Sequence, residues 1–107
     1  MADAKTADVS VRDVPDKHRF EAVVDGAVAG FTTYRLEGDA LALRHTEVDD
    51  AYEGKGVGSA LVKGALAKAR ERGVGVLPYC PFVKAYMKRH RELVDLVPES
   101  ERGRFGL

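Results

Sequence analysis

Three glycines stand within five positions in the stretch Glu53-Gly54-Lys55-Gly56-Val57-Gly58-Ser59, which lies between an apolar strand-like run and a helix-like one. Glycines let a backbone approach an anion closely. Where a helix starts at such a turn, its first free N–H groups and its positive dipole end point at that anion. Lys55 adds a point charge and Ser59 a hydroxyl, so the segment suits a phosphate or pyrophosphate; the plainer alternative is a tight connection in front of a helix. Two phosphate motifs fail on spacing. The Walker pattern needs lysine directly after its last glycine, and the dinucleotide fingerprint would need glycine at position 59 and a later strand ending in an acid.

Groups able to move protons flank this turn. In ALALRHTEV, residues 40–48, alternation places Leu41, Leu43, His45 and Glu47 on one face, so His45 or Glu47 can accept a proton directly or through water. A pair of solvated sheet residues is the competing reading. Tyr86, in AYMKRH, can donate a proton or be half-buried packing. Cys80, between Tyr79 and Pro81, sits at a strand-to-helix switch where thiols become reactive, and reads otherwise as a small buried hydrophobe. Asp49 and Asp50 shape the turn before the glycines and would attract a cation.

The elements that must hold these groups follow from the pattern around them. Residues 19–24 and 27–36 are β-prone and separated by Asp25-Gly26, a two-residue turn favouring positive φ, so they form a hairpin. Glu37-Gly38-Asp39 turns the chain into the strand over 40–48. Val57, Ala60, Leu61, Ala65, Leu66 and Ala69 recur at helical spacing, predicting a helix over 57–72 that Gly73 caps. Residues 74–79 read as a strand, 82–90 as a second helix entered through Pro81, and 93–97 as a last short strand. The expected fold class is α/β, layered: a mixed, mostly antiparallel sheet of five to six strands with two main helices. Residues 1–8 read as a loose lead-in, 9–97 as a single domain and 98–107 as a polar tail that frays.

Composition narrows the function. The chain has 107 residues, 45% hydrophobic and 32% charged, with one cysteine. That supports one packed core and excludes an internal disulfide framework. No run approaches the roughly 18 apolar residues of a membrane span, and the acidic start lacks a secretory core, so a soluble cytoplasmic protein is expected. His18, His45 and His90 fall in separate segments, and no metal site is expected. Formal charge is zero, but most acids precede Gly54 and most lysines and arginines follow it. A basic C-terminal half suits a phosphorylated cofactor or, less well for want of interleaved aromatics, a nucleic acid; solvated helix faces are the simpler account.

The run HTEVDDAYEGKGVGSALVKGALAKARERG followed by VLPYCPFVKAYMKRH resembles the small GNAT-like acetyltransferases that consist of little beyond the cofactor-binding half. The likeness covers roughly residues 9–97, and Gly56-Val57-Gly58 meets the glycine part of that family's pyrophosphate loop. Glu53 departs from it, standing where many relatives carry Gln or Arg. The resemblance implies acetyl-coenzyme A as cofactor. Its pyrophosphate would lie on the backbone of Gly54, Lys55, Gly56, Val57, Gly58 and Ser59, and its thioester between the strand ending at Val48 and the one ending near Tyr79. Lys84 and Lys88 would hold its adenosine phosphate. Tyr86, with Lys88 two residues on, matches the tyrosine that protonates the leaving thiolate in many relatives, and Cys80 shares their CPF context as a covalent carrier or thiolate acid. The expected activity is acetyl transfer to an amine acceptor, a small amine or a protein lysine or N-terminus, by a monomer or homodimer. A non-catalytic acyl-coenzyme A-binding or regulatory module is the alternative, and nucleic acid is not expected as a partner.

Overall fold

The structure, a computed structural model, describes residues 9–107, so the expected lead-in over 1–8 lies outside the described residues. Strands β1 (Val9–Val14), β2 (Arg19–Val24), β3 (Ala27–Glu37) and β4 (Ala40–Val48) form an antiparallel meander. A fifth, β5 (Gly75–Pro78), joins the edge of β4 in parallel, giving the order β1-β2-β3-β4-β5. Asp25 and Gly26 both take positive φ, 51° and 82°, the conformation that matches a two-residue hairpin to strand twist. A parallel neighbour needs a crossover, and helix α1 (Val57–Arg72) supplies it. Gly73, at φ 70°, ends that helix by donating its N–H to the carbonyls of Ala69 and Arg70.

The core lies between α1 and one face of the sheet. Phe20, Ala22, Leu41 and Leu43 from the strands meet Val57, Leu61, Val62, Ala65, Leu66 and Ala69 from the helix, all buried. Burying a side chain like that of Phe20 stabilises by roughly 2–3 kcal/mol. At the far end of α1, Asp13 of β1 accepts from Arg72 at 2.7 Å and from the Tyr34 hydroxyl at 2.6 Å, tying helix, edge strand and β3 together. Burial first, then the Asp13 carboxylate, push the Tyr34 phenol up to about 12, so this network keeps its proton.

Helix α2 (Pro81–Arg89) begins with Pro81 itself at its first position, one residue earlier than read from sequence. Three expectations are corrected. Residues 93–97 are not a strand: Arg91–Leu96 is a 3₁₀ helix that buries Val94 and Leu96 and leads into the buried Val97, and Asp95 reaches back to Arg70 of α1 at 2.9 Å. The sheet therefore has five strands. The stretch 98–107 does not fray. After the short helix α3 (Glu99–Arg102), Phe105 is buried and packs edge-on against Tyr79, ring centroids 5.2 Å apart. Finally, the predicted single face of β4 breaks: Thr33 pairs with His45 but Tyr34 with Leu43, so Arg44 is an extra, bulged residue. Leu41 and Leu43 thereby share the α1 side with Tyr34, while His45 and Glu47 share the opposite face with Thr33 and Phe31.

Gly64 shows how closely α1 sits on the sheet. A Cβ added there would lie 2.6 Å from Val11 Cγ2 and 2.7 Å from its Cβ. Helix propensity alone predicts that Gly64→Ala gains about 1 kcal/mol. The packing predicts the opposite sign, a loss of about 1–3 kcal/mol from overpacking against β1, measurable as a lower urea midpoint.

Candidate functional site

The site begins where β4 and β5 part. Their ladder joins only Ala40–Leu43 to Gly75–Pro78. Pro78 has no N–H to give, Tyr79 turns its own N–H back to the Leu77 carbonyl at 3.0 Å, and a last bond runs from the Cys80 N–H to the Leu43 carbonyl at 2.9 Å. The Arg44 bulge adds twist to β4 at the same level. Beyond it, residues 44–48 continue with no strand on that edge among the described residues. The Asp49 N–H goes to Ala29 of β3 at 2.8 Å; by alternation, the N–H and C=O groups of Val48 and Thr46 face the open edge.

The start of α1 lies beside this opening. Gly54 and Gly56 have φ of 80° and 79°, with nothing within 4 Å of where a Cβ would stand. Gly56 is the N-cap and carries no side-chain cap, and the first turn contains no acid. The N–H groups of Val57, Gly58 and Ser59 are therefore left for an external acceptor at the positive end of a four-turn helix. A Cβ on Gly58 would stand 2.8 Å from Phe82 Cζ, at the tip of a half-exposed ring, and 3.4 Å from Val48 Cγ2, so α2, α1 and the end of β4 converge closely here. The Asp49 carboxylate accepts from the Ala51 N–H at 2.9 Å and shapes the approach to the glycines, while Glu53 and Lys55 are exposed. The open N–H groups, the free edge and the space before the glycines fit the pyrophosphate and amide-bearing arm of coenzyme A.

The predicted proton-handling residues lie on two sides of β4. On the face away from α1, His45 Nε2 donates to Glu47 Oε2 at 2.7 Å, and both side chains are largely exposed. Glu47 lines a cleft of about 210 Å³ with Arg19, Phe31, Gly30 and Asp49. On the α1 side, the buried Cys80 thiol donates to Thr46 Oγ1 at 3.3 Å, and that hydroxyl donates to Thr32 Oγ1 at 2.9 Å. A reaction in the gap between β4 and β5 would thus have carboxylate and imidazole on one side and a thiol on the other.

The structure does not bring all the predicted residues together. Tyr86 lies six residues along α2 from Cys80, a rise of about 9 Å. It is buried and stacked on His90, ring centroids 4.3 Å apart, and burial first, then the charge of Glu92, push its phenol up. Lys84 follows Cys80 by one helical turn, whereas Lys88 lies in the last turn of α2 beside Gly106. Arg19, Glu21 and Phe31 were missed by sequence reading. Arg12, Arg19 and Glu21 alternate along two neighbouring strands, a period-two run of charges opposite the apolar face. That signal marks an outward polar face without showing that Glu21 is buried.

Residues 19–96 match the family model of the GCN5-related N-acetyltransferases. The solution structure of a GCN5-like candidate N-acetyltransferase from Staphylococcus aureus aligns with a TM-score of 0.63 at 23% identity, covering 83% of this chain and 87% of that one. A ribosomal-protein-alanine N-acetyltransferase from Brucella melitensis biovar Abortus 2308 aligns at 0.51 and 20% identity over 81% and 89%. Both likenesses show the fold. The ribosomal-protein-S18-alanine N-acetyltransferase from Escherichia coli reaches 0.51 and 27% identity, over 54% of this chain and 38% of its own. No curated protein matches the chain. Among the described residues no helix is long and apolar enough to cross a membrane, and no cluster of histidine, cysteine and acids could hold a metal ion.

Glu21 gives the face away from α1 a measurable pH signature. The hydrogen bond from Arg19, opposed by burial and reinforced by Arg12, holds its carboxyl below the ordinary 4.5. A carboxyl lowered on folding contributes stability that is present above its unfolded value and lost as pH falls through the folded one. Urea unfolding of the wild type should weaken on acidification below pH 4.5, and Glu21→Gln should show a shallower loss over that range. Equal acid slopes would contradict this assignment.

Proposed function

This chain belongs to the GCN5-related N-acetyltransferase family, and from that premise we propose that it transfers an acetyl group from acetyl-coenzyme A to an amine by direct attack within a ternary complex. The observation that carries the proposal is the parting of β4 from β5 directly beside an uncapped, glycine-started helix. When bound, acetyl-coenzyme A supplies the acetyl group activated as a thioester. The N–H groups of Val57, Gly58 and Ser59 would hold its pyrophosphate, with Lys55 adding positive charge. Thr46 and Val48 would offer their edge N–H and C=O groups to its amides. Lys84 stands nearer the opening than Lys88 and is the stronger candidate for the remaining phosphate.

The chain's own residues divide the proton work. Glu47 takes a proton from the incoming ammonium, and its 2.7 Å hydrogen bond fixes the His45 ring and its tautomer. Asp49 adds negative charge beside the same cleft, raising the local concentration of a cationic acceptor. The buried Cys80 thiol, already a donor to Thr46, is placed to give a proton to a sulfur leaving on the α1 side. Tyr86 is the second donor, at the greater distance along α2.

Glu53 favours a second reading, a module that binds acyl-coenzyme A without turnover, because its exposed carboxylate stands at the start of the phosphate-binding turn. Calorimetric titration of acetyl-coenzyme A and assay of thiol release over a panel of amines separate the two. Wild type should bind, and Gly56→Glu should not, since it forces a side chain into positive φ and sets a carboxylate against the helix N-terminus; Gly56→Ala, strained but uncharged, should bind more weakly than wild type. Glu47→Gln should bind normally and lose about 10²–10⁴-fold in turnover. Binding without turnover of any amine would favour the second reading, and no binding by wild type would overturn both.

A further inference from the structure

The buried carboxylate of Glu21 has no part in the chemistry above, yet it organises the far wall of the cleft that Glu47 lines. It is 2% exposed. Arg19 donates to it through Nε at 2.9 Å and lies 2.8 Å away through its terminal nitrogen Nη2, while Arg12 donates at 3.0 Å. Only the carboxylate of this triad is deeply buried, since the Arg12 side chain is 60% exposed, so desolvation offsets much of what the ion pairs contribute. Its specific result is position. Arg19 is held with its guanidinium 4.3 Å above the centre of the Phe31 ring, at the rim of the cleft, and its second terminal nitrogen remains outside the Glu21 contacts.

The cleft is therefore polarised. Arg19 on β2 forms a cationic wall, the Phe31 ring on β3 an apolar floor, and Glu47 on β4 with Asp49 an anionic wall. The triad of two arginines and one carboxylate carries a net positive charge. A diamine or polyamine would satisfy the carboxylates and leave that charge facing its other end. An acceptor with an amine at one end and a carboxylate at the other satisfies both walls. β2 and β4 stand two strand spacings apart, roughly 10 Å, with the Arg19 guanidinium over the Phe31 ring between them, which suits a short chain with a few methylenes on the ring.

We infer, resting on the acetyltransferase reading, that the acceptor is a short amine bearing a carboxylate, with Arg19 contacting the carboxylate and Glu21 acting as a positioning residue behind it. The probes are 4-aminobutyrate, its uncharged amide 4-aminobutanamide, and the diamine cadaverine. Each is titrated into wild-type protein saturated with coenzyme A and then assayed with acetyl-coenzyme A. The acid should bind and be acetylated about 10- to 100-fold better than the amide or the diamine. Arg19→Lys should keep part of that preference. The double variant Arg19→Gln/Glu21→Gln removes the pair together, leaves no buried carboxylate unpaired, and should erase the preference by raising the KM for the acid to that of the amide. Glu21→Gln alone should lower the preference without changing the amide. Equal binding of acid and amide, or preference for the diamine, overturns the inference and leaves the acetyltransferase reading standing. Selective binding of the acid without acetylation overturns that reading and leaves Arg19 as a carboxylate site.

Discussion

The separation of β4 from β5 after Leu43 is the constraint on which the site depends. Two local features produce it together. Proline at 78 withholds an N–H at the point where the parallel ladder would continue, and the extra residue at 44 twists β4 away on the other side. Backbone groups in a sheet are seldom left without partners. Here Thr46 and Val48 present an open edge beyond the last bond of the β4–β5 ladder. A ligand that carries amides can complete that edge as an added strand would.

The same parting sets the polarity of the site. Because side chains alternate along β4, the residues beyond the bulge send Thr46 toward Cys80 and Thr32, and His45 and Glu47 toward the opposite face. One short strand segment thus carries the His45–Glu47 pair on one face and meets the Cys80 thiol on the other. The α1 N-terminus adds the third part, a fixed positive potential that needs no side chain. Gly58 lies where Phe82 and Val48 both approach the first turn of the helix.

Much of this was legible in the sequence. The spacing of apolar residues marked α1 from Val57 to Arg72, Asp25-Gly26 marked the first hairpin, and the glycine cluster marked the turn into α1. These signals are local, and local physics decides them. The Arg44 bulge could not be read, because strict alternation is the only sequence signal a strand offers and a bulge shifts it without changing composition. The 3₁₀ helix over Arg91–Leu96 was missed since its apolar residues are too few to distinguish a period of two from three. Phe105 was hidden in a polar tail by its neighbours, and its burial is decided by Tyr79, distant in sequence. The Arg12–Glu21–Arg19 triad was invisible for a related reason: alternation shows that side chains share a face, and only the assembled sheet shows how deeply the middle one is buried.

The central claim is that coenzyme A enters between the parted strands with its pyrophosphate on the start of α1. Amide chemical shifts followed by NMR during titration with coenzyme A test it most directly, since the pyrophosphate contacts invoked are backbone N–H groups. The account predicts the largest changes at Gly56, Val57, Gly58 and Ser59, with a second set at Thr46 and Val48 on the open edge of β4. Changes centred instead on the cleft around Arg70, Val97 and Arg102, at the opposite end of α1, would contradict it.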